Sequence, residues 1–232
     1  MDVIFGSFQQ AAALLLRADP EILRVMALSL QVSLLATALS LVVGVPLGTW
    51  LALARFPGRR LLLGLVNTGM GMPPVVVGLL VTVLLWRSGP LGQLRLLYTP
   101  AAIAVAQFLL AAPIVVGLSA AAMQQLNPLL RVQIASLGAT PAQQLLLLMR
   151  EARLPLLAAT MAAFGAVISE VGAAMMVGGN IAGQTRVLTT ATVLETSKGN
   201  FSLALALGLI LLAVMYAVNL TLTWVQQRGR PL

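Results

Sequence analysis

Five stretches of this chain run for more than twenty residues with hardly a charge among them, at about 26–54, 61–86, 100–123, 155–177 and 201–224. A helix needs roughly 20 apolar residues to cross about 30 Å of hydrocarbon. The runs lack the short alternation of barrel strands, so they predict an all-α, polytopic membrane protein with five transmembrane helices. Only 9% of residues are charged, against roughly a quarter in soluble domains, and 59% are hydrophobic. The 232 residues read as one transmembrane domain.

What the chain lacks excludes much chemistry. It has no cysteine and no histidine, which removes disulfides, thiol catalysis, the common zinc sites and imidazole acid–base work. No cofactor or metal is expected. The net charge of +8 suits loops held against the anionic headgroups of the bilayer rather than a nucleic-acid partner, since no basic surface interleaved with aromatics exists. The acidic start, Met1-Asp2, argues against a removable signal peptide. Residues 1–24 are expected to form an interfacial arm that ends before Pro20, with Asp19 capping the first span.

Two spans are interrupted by their own residues. Pro46 is expected to kink the first. In the second, Gly69-Met70-Gly71-Met72-Pro73-Pro74 must bend or break the helix mid-membrane, because two prolines remove two donors. Irregular backbone at that depth is tolerated only against protein or a water-filled cavity. A kink filled by neighbouring helices is the plainer reading; a substrate pathway at Pro73 and Pro74 is the alternative.

Between the third and fourth spans, at 127–153, lies a loop with its own punctuation. Asn127 is a good N-cap, Pro128 suits the first helical position, and Gly138 can close the helix in the left-handed region. Thr140, Pro141 and Gln143 then start a second helix with a capping box. Ten helical residues reach only about 15 Å, so this helix cannot span. Leu130, Ile134 and Leu137 fall at i, i+4, i+7, with Arg131 and Gln133 turned away. The helix either lies at the interface to park a loop or docks a soluble partner.

Glu170, most of the way along the fourth span, is the one acidic residue in that run, and an ionisable group at such depth suggests function. A fixed carboxylate would repel an anion, however, so capping freed backbone amides or pairing with an arginine is preferred for it. The following segment, 178–200, has a sharp return at Gly178, Gly179 and Gly183. It then has threonines at 185, 189, 192 and 196 in one helical stripe. Hydroxyls and the free N–H groups at a helix start near Thr185 and Arg186 would favour an oxyanion. Alternatively the threonines bond back to their own backbone and only pack.

Basic residues near span ends set orientation. One side collects Arg55, Arg59, Arg60, Arg131, Arg150, Arg153, Arg228 and Arg230. The other has Arg17, Arg24, Arg87, Arg95, Arg186 and Lys198, diluted by Asp2, Asp19, Glu21 and Glu195. This predicts a multi-pass cell-membrane protein with the 127–153 loop and C-terminus cytoplasmic and the N-terminus outside. No internal repeat is visible, which argues against most inverted-repeat carriers.

Ala135, Leu137 and Gly138, with Leu154-Pro155 further on, resemble the cytoplasmic loop of ABC importer permeases. Val132 stands where that loop's pattern has Glu, and Leu154-Pro155 lies about one turn late. Glu170-Val171-Gly172-Ala173, Gly179-Asn180-Ile181, Thr185 and Leu188 are shared in type with molybdate and sulfate permeases. Met175 to Ile181, Thr185 to Thr190, Leu194 to Phe201 and the Asn67 to Gly78 block look like the tungstate branch of that oxyanion family. The resemblance implies a type I ABC importer permease fold, a homodimer with a second copy, two cytoplasmic ATPase subunits and an external substrate-binding protein. It implies alternating access that imports tungstate, or molybdate or sulfate by the same route. ATPase docking would fall to Leu130, Arg131, Ile134, Ala135, Leu137 and Gly138. The pathway and external gate would fall to Glu170, Asn180, Thr185, Arg186, Thr189, Thr192, Pro73 and Pro74. The chain itself is no ATPase, because its one lysine, Lys198, follows no phosphate-binding glycine loop. An ATP-independent anion channel or carrier, and a membrane scaffold without flux, are the competing readings.

Overall fold

The computed structural model describes residues 2–16 and 19–228. Arg17 and Arg230, counted above toward orientation, lie outside them. The described residues are helical apart from turns and loops. Helix α1 covers Asp2–Leu16, α2 Pro20–Leu53, α3 Arg59–Met70, α4 Pro74–Leu85 and α5 Pro100–Gln124. Helix α6 covers Pro128–Ser136, α7 Pro141–Glu151, α8 Arg153–Ile168, α9 Gly172–Gly178, α10 Leu188–Ser197 and α11 Phe201–Arg228.

Helices α2, α5 and α11 are each long and apolar enough to cross a membrane alone. The pair α3/α4, bent by 100°, and the pair α7/α8, bent by 68°, pass the same test together, which gives up to five spans if each bent pair is one. The expected fourth span is cut differently from its sequence reading: α8 stops at Ile168 and α9 resumes at Gly172.

The start signals are local and work as physics requires. Asp19 Oδ1 accepts from the N–H groups of Glu21 and Ile22 at the head of α2, and α2 then runs unbroken through Pro46. At its other end Arg59 donates Nε to the Leu51 carbonyl at 2.6 Å and a second nitrogen to Ala52 at 3.3 Å. That puts a cation on the negative end of the helix dipole. Trp50 stacks on Phe56 beside it, with ring centroids 4.7 Å apart.

The centre of the molecule is α2 pressed on α5. On α2 a buried stripe of small residues (Ser40, Gly44, Gly48) faces the alanine-rich α5. A β-carbon at Gly44 would stand 2.8 Å from Val115 Cγ1, and one at Gly48 would stand 2.7 Å from Ser119 Cβ. Close backbone approach of this kind is how helices associate where lipid removes the hydrophobic drive. Helices α4, α8 and α9 complete the main core around Ile103, Ala111, Val115 and Val167. A second cluster joins α1, α2, α10 and α11 through Ala11, Val25, Leu188 and Leu207. The expected N-terminal arm is therefore a helix lying along α11.

The outside of the bundle is apolar. Leu35, Leu39 and Val42 on α2, Leu79 and Val83 on α4, and Leu212 and Leu220 on α11 are exposed, as a surface for lipid or another transmembrane subunit must be. Helix α3 has no buried residue. At 100° the turn from α3 to α4 is the sharper of the two outcomes, bend or break, that its glycines and prolines require. Gly71 and Met72 close α3 with bonds to Thr68 and Gly69, and the Pro73 carbonyl opens α4 by accepting from Val76 and Val77. Neither side of the break needs Pro73 or Pro74 to donate.

Candidate functional site: two abutting helix breaks and a foot

The two helix breaks meet. A β-carbon at Gly172, the first residue of α9, would lie 2.9 Å from Val75 Cγ2 and 3.4 Å from Glu170 Oε1. One at Gly78 would lie 2.8 Å from the Ala173 Cα. So the start of α4 at Val75, next to Pro74, stands beside the start of α9 at Gly172, and small residues on α4 and α9 let the broken ends touch. The freed backbone groups are answered one by one, as buried polar groups demand. Glu170 Oε1 accepts from Ala173 N at 3.0 Å, the Glu170 carbonyl accepts from Thr189 Oγ1 at 2.8 Å, and the Val167 carbonyl accepts from Gln107 Nε2 at 2.9 Å. The carboxylate thus caps α9.

From α9 the chain returns through Gly179, Asn180 and Gly183, all at positive φ. Gly178 is different: it is helical, and its bare Cα makes room for Ile103, whose Cδ1 would lie 2.8 Å from a β-carbon there. Thr185, 1% exposed, donates Oγ1 to the Gly178 carbonyl and accepts from Ile181 N. Asn180 accepts from Arg186 Nε at 3.3 Å and donates to the Thr190 carbonyl at 3.3 Å. Arg186 also meets Glu21 of α2 at 3.4 Å. Ser29 Oγ accepts from Leu188 N at 2.8 Å, and the Val177 carbonyl accepts from Tyr98 N at 2.8 Å.

Three of the four threonines, Thr189, Thr192 and Thr196, lie on α10, and their bonds follow the packing alternative. Helix α10 begins at Leu188, so Thr185 sits in the preceding loop, and Thr189 is turned inward onto the break. Thr192 and Thr196 bond back to the Leu188 and Thr192 carbonyls. These hydroxyls fasten backbone and present no donor-rich surface. The N–H of Leu188 is spent on Ser29, so one of the free donors at the head of α10 is already taken. Further along, Lys198 and Asn200 donate to Glu195 at 2.7 and 2.8 Å. The bond from Lys198, then that from Asn200, holds the Glu195 carboxyl below its ordinary value. A lowered carboxyl contributes its stability above its unfolded pKa and loses it as pH falls through the folded one.

At the far end of α2 and α5, α6 forms a foot. Asn127 Oδ1 caps it from Leu129 N, Gly138 has φ +78°, and Thr140 and Gln143 exchange both bonds of a capping box before α7. Leu130, Ile134 and Leu137 do not share a face. Ile134 is buried and Leu130 half-buried against Met123, Leu148 and Ala152. Leu137 lies past the helix end and is 87% exposed, with Leu129 at 64% and Val132 at 61%. Arg131 and Ala135 are also exposed. The outward surface is therefore Leu129, Val132 and Leu137, while Leu130 and Ile134 fix the foot to the body. A cavity of about 470 Å³ separates Arg131 from Arg55 and Arg59 at this end.

Residues 44–231 match the family of binding-protein-dependent transport system inner membrane components. The chain belongs to that family. Among relatives of this inner membrane component, the tungstate uptake system permease protein TupB of Peptoclostridium acidaminophilum is 38% identical over 98% of this chain and 100% of its own. A probable anion ABC transporter permease protein of Haloferax volcanii is 44% identical over 83% of this chain and 85% of its own. Among solved structures, the MetNI methionine ABC transporter in an inward-facing conformation superposes with a TM-score of 0.75 at 18% identity, covering 91% of this chain and 97% of that one. The fold is that of type I ABC importer permeases.

Sequence reasoning missed the fasteners of this chain. Ser29, Gln107 and Tyr98 hold α10, the α8/α9 break and α9 in place, yet each sits in an ordinary apolar or loop context. One prediction follows from their bonds. Thr189→Val leaves the Glu170 carbonyl unpaired and should cost about 1–3 kcal/mol. Thr192→Val, whose hydroxyl bonds only within α10, should stay within about 0.5 kcal/mol. Thermal unfolding of the two purified variants checks the difference.

Proposed function

We propose that this chain is the membrane-spanning subunit of an ATP-driven importer for a tetrahedral oxyanion, with tungstate as cargo. The observation that carries the reading is end-to-end similarity to a tungstate uptake permease, at 38% identity over 98% of the chain. Molybdate and sulfate are dianions of the same shape and use the same mechanism in the alternative reading.

In this reading two copies face each other, each with five spans: α2, α3/α4, α5, α8/α9 and α11. The foot lies in the cytoplasm, where Arg55, Arg60, Arg131 and Arg150 accord with the basic side of the membrane, and the N-terminus lies outside. Cytoplasmic ATPases grip Leu129, Val132 and Leu137. Their closure on ATP moves α6, and through Ile134 and Leu130 the ends of α2 and α5 with it. The abutting breaks at Pro73 and Glu170 are the outer gate of the path, with α10 pinned over them by Thr189. An external binding protein delivers the anion above α10.

Vesicles containing the complete complex test this. Radiolabelled tungstate should enter only with ATP and loaded binding protein, and molybdate and sulfate in equal amounts should compete poorly. Flux through this chain alone, without ATP, would establish the channel reading instead. Stronger competition by molybdate or sulfate would reassign the cargo.

A further inference from the structure

A cavity of about 650 Å³ opens between the outer end of α2 and the loop that precedes α10, lined among others by Glu21, Arg24, Gln31, Gly183, Gln184 and Arg186. Two observations mark it as polar and wet. Glu21, Arg24, Leu28 and Gln31 follow one helical face of α2 for about 15 Å, after which that face turns apolar at Leu35 and Val42. On it the side chains of Arg24 and Gln31 are exposed and make no hydrogen bond or ion pair among the described residues. An unpaired guanidinium and an unpaired amide at this position are expensive against lipid, so the face belongs to water. The loop supplies the second wall: a β-carbon at Gly183 would stand 3.6 Å from an Arg24 nitrogen, and the exposed side chain of Gln184 is likewise without a partner.

Within this cavity Arg186 is already engaged by a carboxylate. Its side chain is 19% exposed and fixed by Asn180, while Glu21, 66% exposed, reaches it across the mouth at 3.4 Å. An ion pair so open to solvent is weak. A dianion offering several oxygens to two guanidinium groups is the stronger partner.

We propose that this cavity is a receiving site for a tetrahedral oxyanion, in which Arg24 and Arg186 bind the anion, Gln31 and Gln184 donate to it, and Glu21 occupies Arg186 when the site is empty. It rests on the reading of the chain as an oxyanion importer and adds to it a place where the anion halts above the gate. Displacement of Glu21 removes the ion pair between α2 and the loop before α10, so arrival of the anion weakens one of the links at this end of the molecule. The same arginines could hold a lipid phosphate, and the test separates the two sources.

The complete complex with its ATPases, in lipid nanodiscs, is dialysed against radiolabelled tungstate and, separately, sulfate. Arg24→Ala should weaken tungstate binding about tenfold, and Glu21→Gln should tighten it about threefold, with melting temperatures unchanged. Because one variant loses binding and the other gains it, misfolding cannot imitate the pair. Unchanged binding in both overturns the site even where the parent complex imports tungstate. A parent that binds an oxyanion in this Arg24- and Glu21-dependent manner but imports no tungstate supports the site and overturns only the cargo assignment. Loss of tungstate binding when discs are enriched in phosphatidylglycerol gives the arginines to a headgroup and overturns a soluble-anion site.

Discussion

Aspartate at Leu137 is expected to strip the ATPase subunits from the complex while leaving the melting temperature of the membrane chain unchanged. Leu137 is 87% exposed, beyond the last residue of α6, so the substitution disturbs nothing inside the chain. At the centre of an interface an apolar anchor carries about 2 kcal/mol or more, which is roughly a thirtyfold loss of association. A charge buried without a partner adds to that. Val132→Asp should act alike. Ile134→Ala is the contrasting variant: Ile134 is 8% exposed and packs on Leu148 and Ala152, so its truncation should cost about 2–4 kcal/mol of stability. Co-purification of the ATPase and thermal unfolding, measured on the same preparations, separate the two effects. Retention of the ATPase by both aspartate variants would remove α6 as the point of transmission.

The second large effect is at Gly48. Adding one methyl group there in a helix ordinarily gains about 1 kcal/mol, yet Gly48→Ala should destabilise by about 1–3 kcal/mol. Its β-carbon meets Ser119 Cβ at 2.7 Å and the Ala120 nitrogen at 3.0 Å, and backbone cannot swing aside. Gly208 in α11 has nothing within 4 Å, so Gly208→Ala should show the ordinary gain. Unfolding of the two variants in detergent should therefore move in opposite directions.

The punctuation of the chain was legible because caps are local. Asp19, Asn127, Thr140 with Gln143, and Gly138 each act on atoms within a few residues, and the structure uses each at its expected place. Direction was not legible. Periodicity says that Leu130 and Ile134 share a face, but not whether the face looks toward the body or away. Leu137 was miscounted because the helix ends at Ser136. The start of α10 was hidden for a related reason: the threonine period continues through Thr185, but the helix starts only at Leu188, where Ser29, 159 residues earlier in the chain, accepts its N–H. A partner that distant leaves no trace in local pattern. The small residues of α2 did leave one, at four-residue spacing in Ser40, Gly44 and Gly48.

The tight seam at Gly44 and Gly48 decides where this molecule can flex. Two helices locked at backbone distance cannot slide past one another without losing their contacts wholesale, so α2 and α5 travel as a single strut with the foot fixed to its lower end. In the importer reading, a rearrangement would be absorbed by joints elsewhere: the corner at Gly71–Pro73, and the interruption at Ser169–Val171, where Glu170 accepts from Ala173 N and Thr189 Oγ1. Levers of this build turn a small push at one end into the parting of two hinges at the other.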